Sequence, residues 1–362
     1  MNNPERYMQE VISLAKKAQG QTHPNPMVGC IVVQGEKVIA RGYHRGPGKW
    51  HAERDALLEL PFEQTRGATL FVNLEPCCHF GRTPPCTDII IEKGISKVYV
   101  GMLDPDPRVA GKGITILQDA GIEVIVGIEE EACRRLNAAY LMAREHGRPY
   151  FTLKTACSMD GYTCDFYGES KWITNEESRA KGHELRAIND GILVGIGTVL
   201  ADNPSLNTRH QEGENKDAIP IVLDSKLRTP KNAKLRTAGK KPIIFHSQKR
   251  REKEDRASDA EYIFIAQGEQ GLQLEELGRI LVEKGIYSVL LEGGATIHQA
   301  FFEKGWVDRL EIFQAPIVLG AGKKWLSTSA FYLNLAPNFE LIGVSAYRSD
   351  VHLCYEQRRK HV

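Results

Sequence analysis

Residues 74–86 read LEPCCHFGRTPPC, and the reading of this stretch decides the fold of the first half of the chain. Cys77, Cys78, His79 and Cys86 could each bind a metal, yet all four crowd into one loop. A hydrolytic zinc site takes three protein ligands and keeps a fourth position open for water. The loop alone does not offer that arrangement, so a ligand is sought elsewhere. HAE at 51–53 supplies it, at the start of a helix expected over HAERDALLEL, 51–60. His51 and Glu53 are separated by one residue and do not share a helix face. His51 is therefore read as the ligand and Glu53 as a carboxylate aimed at water. A metal lowers the pKa of such a water toward about 7, and a carboxylate in reach carries the proton from nucleophile to leaving amine. Asp55, one turn after His51 on the same face, is a rival ligand, but two thiolates with an imidazole suit zinc better.

Cys77 and Cys86 each follow a proline. Cys86 opens the helix expected over CTDIIIEKG, 86–94, where N–H groups and the positive dipole end favour a thiolate. Cys78 is adjacent to Cys77 and points elsewhere. One zinc ion per chain, held by His51, Cys77 and Cys86, is the expectation. A structural zinc site and a set of unrelated cysteines are the alternatives.

Outward from this stretch, strands and helices alternate. The first helix is expected over 4–19, and a hairpin follows, with GCIVV and KVIARGYH flanking the turn QGE. A buried strand, GATLFVNLEP (67–76), leads into the loop. Beyond it come the strand KVYVGMLD, the helix GKGITILQDAG, the strand IEVIVG and one helix over 129–145. This order predicts an α/β layered domain with a partly parallel sheet. The charged, Gly- and Pro-bearing REHGRPY marks the boundary between domains at 1–146 and 147–362. The second half alternates again. Strands are expected at 150–156, 190–195, 219–224, 242–246, 262–266, 287–292, 308–314 and 338–347, with helices near 175–188, 273–284 and 295–304.

The 362 residues carry a formal net charge of +1. KRREKEDR (249–256) mixes signs and reads as a solvated helix face. A polynucleotide-binding protein usually shows a basic footprint, so a small-molecule substrate is expected and a nucleic-acid partner is not. No apolar run of about 18 residues is present, so no membrane partner is expected. The N-terminus reads as an amphipathic helix, and eight cysteines without a signal peptide point to a reducing cytoplasm. The oligomeric state is left open, a homo-oligomer included.

H-x-E followed by P-C and a second cysteine resembles the zinc-dependent deaminase pattern, in which Glu is the general acid and base. The usual gap between the cysteines is two residues; here the insertion CHFGRTPP separates them. LEPC–H–GRTPPC, THPNPMVGCIVV and GYHRGPGKWHAE are similar to the deaminase half of the bifunctional riboflavin-biosynthesis family known as RibD or RibG. The resemblance spans residues 1–146 and implies a cytidine-deaminase-like three-layer domain. It implies a diaminopyrimidinone substrate with a 5-phosphoribosylamino group. Asn25 offers an amide with donor and acceptor to the pyrimidine edge. His44, His79 and Arg82 are candidates for the phosphate.

In the second half, LVGIGTVLADNPSL (193–206) and VLLEGGATIHQAFF (289–302) each run from a strand through a Gly-rich turn. Backbone N–H groups at the helix start after Gly293 and Gly294 can bind phosphate, and two such Gly-rich sites suggest a dinucleotide. KTACSMDGYT, GESKWIT, HELRA, GIGTVLADNPSLNTR and LEGGATI resemble the family's reductase half, although Tyr162 stands where GRT is usual. The resemblance implies a dihydrofolate-reductase-like α/β domain that uses NADPH to reduce C1′ of the ribosylamino group. It places Ala156, Trp172, Thr198, Asp202, and Gly293, Gly294, Ala295, Thr296, Ile297, His298, Gln299 and Ala300 around NADPH. It places Lys154, Ser170, Arg186, Leu206, Arg209 and Glu292 around the substrate. Arg186 and Arg209 can fork onto phosphate; Lys154, Asp202 or Glu292 could relay a proton. Ser225 and Lys226 are the candidates for the 2′-phosphate of NADPH.

Two other readings compete: a tRNA-type nucleic-acid deaminase with an accessory domain, and a non-enzymatic zinc-stabilised nucleotide-binding module. On the enzyme reading, the insertion faces substrate rather than metal. Replacing His79 or Arg82 by alanine is expected to weaken substrate affinity without releasing zinc, as read by KM for ammonia release and by metal content.

Overall fold

A computed structural model describes residues 3–208, 217–248, 259–268, 271–328, 332–334 and 336–358. The chain divides into two compact units, Met1–Gly147 and Arg148–Val362. The expected helix at 249–256 lies outside the described residues.

The first unit runs α1 (Pro4–Lys16), β1 (Gly29–Gln34), β2 (Lys37–Tyr43), α2 (Ala52–Leu57), α3 (Phe62–Thr65), β3 (Thr69–Leu74), α4 (Cys86–Glu92), β4 (Lys97–Met102), α5 (Lys112–Asp119), β5 (Glu123–Val126), α6 (Glu130–Leu136) and α7 (Ala138–His146). Its sheet has the order β2-β1-β3-β4-β5. The β2–β1 and β1–β3 pairs are antiparallel; β3, β4 and β5 run parallel. Alternate strand residues face opposite sides. Cys30, Val32, Leu70, Val72, Val98 and Val100 pack with Ala52, Ala56 and Leu57 of α2, Ile89 and Ile90 of α4 and Leu117 of α5. Helices α1 and α6 contact strands β1, β3 and β4. The result is three layers, as the sequence predicts.

Gly42 makes one contact possible. A Cβ there would lie 2.4 Å from the Ala52 carbonyl oxygen and 2.5 Å from the Ala56 nitrogen, so only glycine lets α2 rest directly on β2. The helix expected over 51–60 stops at Leu57, and a separate turn of helix begins after Pro61. The helix expected over 129–145 is broken at Asn137, whose side chain is spent on the Met27 backbone instead. Its Oδ1 accepts the Met27 N–H at 2.8 Å and its Nδ2 donates to the Met27 carbonyl at 3.0 Å.

The second unit contains β6 (Tyr150–Ser158), β7 (Tyr162–Cys164), α8 (Glu176–Ile188), β8 (Gly191–Gly195), α9 (Ile196–Asp202), β9 (Ile219–Leu223), β10 (Ile243–His246) and β11 (Glu261–Phe264). The short strands β12 (Gln267–Gly268) and β13 (Gly271–Leu272) follow, then α10 (Leu274–Glu283), β14 (Ser288–Leu291), α11 (Ala295–Glu303), β15 (Arg309–Ala315), β16 (Lys323–Lys324), β17 (Phe339–Tyr347) and β18 (Asp350–Gln357). Nine strands form one sheet in the order β11-β10-β9-β8-β14-β6-β15-β18-β17. Strands β11 through β15 in that order are mutually parallel, and β18 and β17 close the edge antiparallel. Leu193, Ile221, Phe245, Val289 and Leu291 pack with Leu277, Leu281 and Phe301 of α10 and α11. Their neighbours Ile192, Val194, Val222 and Ile244 pack on the other face with Val199 of α9.

Strand β18 and helix α9 were not expected. The β17–β18 turn places Arg348 at φ 52 without a glycine, so no turn signal marks it. Residues 196–202 read as a Gly-rich loop but continue as helix after Gly195.

The unit is locked at its start. The Arg148 guanidinium grips the Asp308 carboxylate at 2.8 and 2.9 Å, and the same carboxylate accepts the Phe151 N–H at 2.8 Å. Both partners are buried. Removing one member of a buried pair strands the other charge. Asp308→Ala is expected to destabilise this unit by about 3–5 kcal/mol, read by urea unfolding followed through Trp306 fluorescence, with zinc retained by the first unit.

Candidate functional site

Three elements bring the candidate metal ligands together. His51 is the residue before α2, Cys77 follows β3, and Cys86 is the first residue of α4. The Cys77 carbonyl accepts the N–H of Cys86 at 3.0 Å and that of Thr87 at 3.2 Å. This closes the insertion into a loop and sets the two sulfurs side by side. His51 Nδ1 lies 3.4 Å from each. A tetrahedral zinc with Zn–N near 2.0–2.1 Å and Zn–S near 2.3 Å requires about 3.5 Å between N and S. The donor set therefore fits zinc.

The thiols make the same point. Cys77 is drawn down to about 4, first by its hydrogen bond with the Cys86 thiol and, against the opposing effect of burial, by His51. Cys86 is pushed well up, by that same hydrogen bond and then by burial. Two such sulfurs do not both ionise until a cation replaces the proton between them. Glu53 is 3% exposed, and burial pushes its carboxyl up to about 7. Asp55, the rival ligand, is committed elsewhere: it accepts the Tyr43 N–H at 3.1 Å and pairs with Arg45 at 3.2 Å. Cys78 turns its thiol to the Arg108 carbonyl.

The metal triad opens into a cavity of about 400 Å³, whose wall includes Asn25, His44, Glu53, His79, Arg82 and Thr83. His44 corrects one expectation. It is 3% exposed, with Nδ1 3.0 Å from the Trp50 carbonyl oxygen and Nε2 3.0 Å from Asn25 Nδ2. Burial lowers its pKa. Its ring is thus engaged on both sides and is not a cation free for phosphate. Lys49, Asp104, Arg108, Tyr140 and Arg144 also line the cavity, and sequence reasoning missed them. Arg108 and Arg144 both face Asp106, at 2.6 and 3.8 Å. Lys49 and Arg82 carry no such pairing among the described residues. The loop after β4 is fixed by Glu75, whose carboxylate accepts N–H groups of Asp104, Gly111 and Gly113 at 3.2, 2.9 and 3.0 Å. The run DPDPRVAGKG after a buried parallel strand was a signal for this loop; Tyr140 and Arg144, on a helix, gave none.

Arg54, next to Glu53, donates to the Pro84 and Pro85 carbonyls at 3.3 and 3.2 Å. It ties the insertion to the helix that follows His51.

In the second unit, two adjoining cavities of about 460 and 650 Å³ share Gly197, Thr198, Gly294 and Lys323. Lys154, Ala156, Ser170, Asp202, Glu292, Gly293, Ala295 and His298 line the smaller. Ser225, Thr296, Ile297 and Ala300 line the larger. Both helices α9 and α11 start at this wall after glycine, so their N–H ends face the space a diphosphate requires. The residues present fit a dinucleotide.

Several expected contacts fall elsewhere. Trp172 is 70% exposed, with the Arg179 guanidinium 4.4 Å from its ring. Leu206 is 2% exposed in the core with Val194 and Val222. Gln299 hydrogen-bonds Glu303 along its own helix. Arg186 does not stand free for phosphate: it grips Glu292 at 3.1 and 2.6 Å. Arg228, not Lys226, lines the larger cavity beside Ser225. Arg209 lies outside the described residues. Arg228, Lys323 and Trp325 were missed, because short irregular segments carry no periodicity.

Residues 1–102 match the model of the cytidine and deoxycytidylate deaminase zinc-binding region, and residues 149–353 match that of the RibD C-terminal domain. The riboflavin biosynthesis protein RibD of Aquifex aeolicus is 43% identical over 316 residues, spanning 87% of this chain and 88% of that protein. Its counterpart in Escherichia coli K12 is 35% identical over 363 residues, spanning 96% of this chain and 98% of that one. The structure of Acinetobacter baumannii RibD superposes with a TM-score of 0.88 at 36% identity, covering 98% of this chain and 99% of that one. The Thermotoga maritima diaminohydroxyphosphoribosylaminopyrimidine deaminase/5-amino-6-(5-phosphoribosylamino)uracil reductase gives 0.87 at 36% identity, covering 98% of each chain. The first unit is thus cytidine-deaminase-like and the second dihydrofolate-reductase-like, and the tRNA-type reading is not favoured. The chain belongs to the RibD family of riboflavin biosynthesis proteins, and it is a bifunctional pyrimidine deaminase and reductase that uses zinc and NADPH.

Proposed function

We propose a division of labour among named residues. His51 Nδ1, Cys77 and Cys86 hold zinc in the first unit, and Glu53 moves the proton. The observation that carries this is the meeting of His51 Nδ1 with both sulfurs at 3.4 Å beside a buried carboxylate. Bound zinc supplies a nucleophilic water at neutral pH. The Glu53 carboxylate accepts the proton released there and returns it to the amine that leaves the pyrimidine. A carboxyl raised to about 7 is matched to both halves of that task. The substrate is 2,5-diamino-6-(5-phosphoribosylamino)pyrimidin-4-one. Asn25 holds the ring edge, and His79 with Arg82 and Lys49 holds the phosphate end of the cavity.

In the second unit NADPH supplies hydride to C1′ of the ribosyl group. The backbone at Gly294 through Thr296 receives the diphosphate, and Ser225 with Arg228 receives the 2′-phosphate. Lys154, Ser170, Asp202 and Glu292 surround the ribose. Desolvation lowers the pKa of Lys154, which eases its proton toward the ribose ring oxygen as the C1′–O4′ bond opens. Arg186 orients Glu292 rather than phosphate.

The chain acts on a small molecule in the cytoplasm, and a net charge of +1, without a basic footprint, supports a small-molecule rather than a polynucleotide substrate. Among the described residues no helix is long and apolar enough to cross a membrane. Leu341 and Val344, exposed on the edge strand β17, support a homo-oligomer.

Glu53→Ala is expected to lower ammonia release by about 10²–10⁴-fold while NADPH oxidation on the deaminated pyrimidine stays intact. Loss of both activities in a folded variant defeats the two-site reading. Arg54→Ala removes the tie to Pro84 and Pro85. It is expected to raise the deaminase KM by roughly 3–10-fold, with metal analysis still finding one zinc per chain.

A further inference from the structure

We infer that His44 is a positioning residue that locks the Asn25 amide with its oxygen toward the cavity, so that the deaminase site selects a hydrogen-bond donor on the pyrimidine. The inference rests on the deaminase reading above. The argument is a chain of obligatory roles. The Trp50 carbonyl can only accept, so His44 Nδ1, 3.0 Å away, carries a proton. Asn25 turns its amide nitrogen, not its oxygen, to Nε2 at 3.0 Å, and an amide nitrogen only donates. Nε2 therefore presents a lone pair. The opposite end of the same amide, Oδ1, is left without a hydrogen-bond partner among the described residues, in a side chain on the cavity wall.

The backbone beneath this amide is held as tightly. The Asn25 N–H donates to the Thr22 carbonyl at 2.8 Å. Two residues on, the Met27 N–H is taken by Asn137 Oδ1 at 2.8 Å, and its carbonyl accepts from Asn73 Nδ2 and Asn137 Nδ2, both at 3.0 Å. An amide so fixed offers an acceptor of one sign at one place. The diaminopyrimidinone answers it with a ring N–H and with the amino group that is not released. A cytosine nucleotide has neither: its free ring nitrogen is an acceptor, and its one amino group is the leaving group. His44 thus acts on substrate choice through Asn25 rather than by touching the reacting atoms.

The test uses the zinc-loaded full chain, with ammonia release from the diaminopyrimidine phosphate as the readout. Retention of one zinc per chain serves as the folding control for the first unit, and reduction of the deaminated pyrimidine as that for the second. His44→Ala is expected to raise the deaminase KM about 5–30-fold with kcat held within about threefold. His44→Gln, whose amide can donate to Trp50 and accept from Asn25 at once, is expected to restore KM to within about threefold of the unaltered chain. In an Asn25→Ala background, His44→Ala is expected to change KM by less than about twofold, since a residue acting only through Asn25 has nothing left to position. An unchanged KM in His44→Ala overturns the inference. So does an equal loss in His44→Gln, or a full additional loss on top of Asn25→Ala. Absence of ammonia release from the unaltered chain overturns the deaminase assignment and this inference with it, whereas a normal unaltered chain with an indifferent His44→Ala overturns the inference alone.

Discussion

The first unit depends on one backbone closure. The Cys77 carbonyl takes the N–H groups of Cys86 and Thr87, satisfying two of the donors that every helix start leaves open. With that closure made, the insertion between the cysteines can be long without moving either sulfur. The prolines before each cysteine keep the approach extended, and α4 begins where the second sulfur is needed. His51 arrives from a different helix, and Gly42 lets that helix lie on the sheet at the required depth. Cys77 and Cys86 would hold a metal in place of the proton that two neighbouring thiols otherwise share. Zinc binding and local folding are coupled here, because the donors satisfy one another poorly without a cation.

The second unit solves a different problem, that of keeping charge near a hydride. Burial alone would raise the Glu292 carboxyl, but Arg186 and Lys154 hold it down to about 2. Arg186 is consumed in that pairing, as its two short bonds to Glu292 show. Lys154 is left as the group with a proton to give. A buried ion pair is weak support for stability, so its retention beside a cavity is better explained by function. The cavity lies beyond the ends of parallel strands β8 and β14, where two helix starts converge, the usual place for a ligand in an open α/β sheet.

Much of this was legible in the sequence. That His51, Cys77 and Cys86 meet in space could be read because metal-binding residue types are few and their spacing reports the turns they sit on. The alternation of strands and helices could be read because burial imposes a period on apolar residues. What escaped has a common cause. Asn73, Asn137 and Glu75 act through backbone groups far away in the sequence, and polar residues that serve distant backbone leave no local pattern. Asn137 shows the cost of ignoring them: its commitment to Met27 splits a helix whose periodicity looked continuous. Leu206 and Trp172 stand apart from the cavity walls: the Leu206 side chain packs in the core, and Trp172 is exposed. After β9 the chain turns, with Leu227 at φ 56, so that Arg228 rather than Lys226 lines the larger cavity.

In the proposed reading, metal chemistry and substrate choice in the first unit are carried by different residues that share one short piece of backbone. The Trp50 carbonyl fixes the His44 tautomer, and His44 in turn fixes Asn25. The Trp50 ring lies 5.9 Å beneath the Arg54 guanidinium, and Arg54 holds the insertion through Pro84 and Pro85. The residue after Trp50 is the proposed zinc ligand, His51. A shift of this segment would therefore move the metal, the amide that faces the ring and the loop that faces the phosphate by related amounts. Coupling of that kind keeps the reacting carbon in register with the nucleophile, because the groups that place the substrate cannot drift independently of the group that places the metal. It also explains why the insertion tolerates its length: its far end is free to meet the substrate, while its near end is tied to the same helix that presents Glu53.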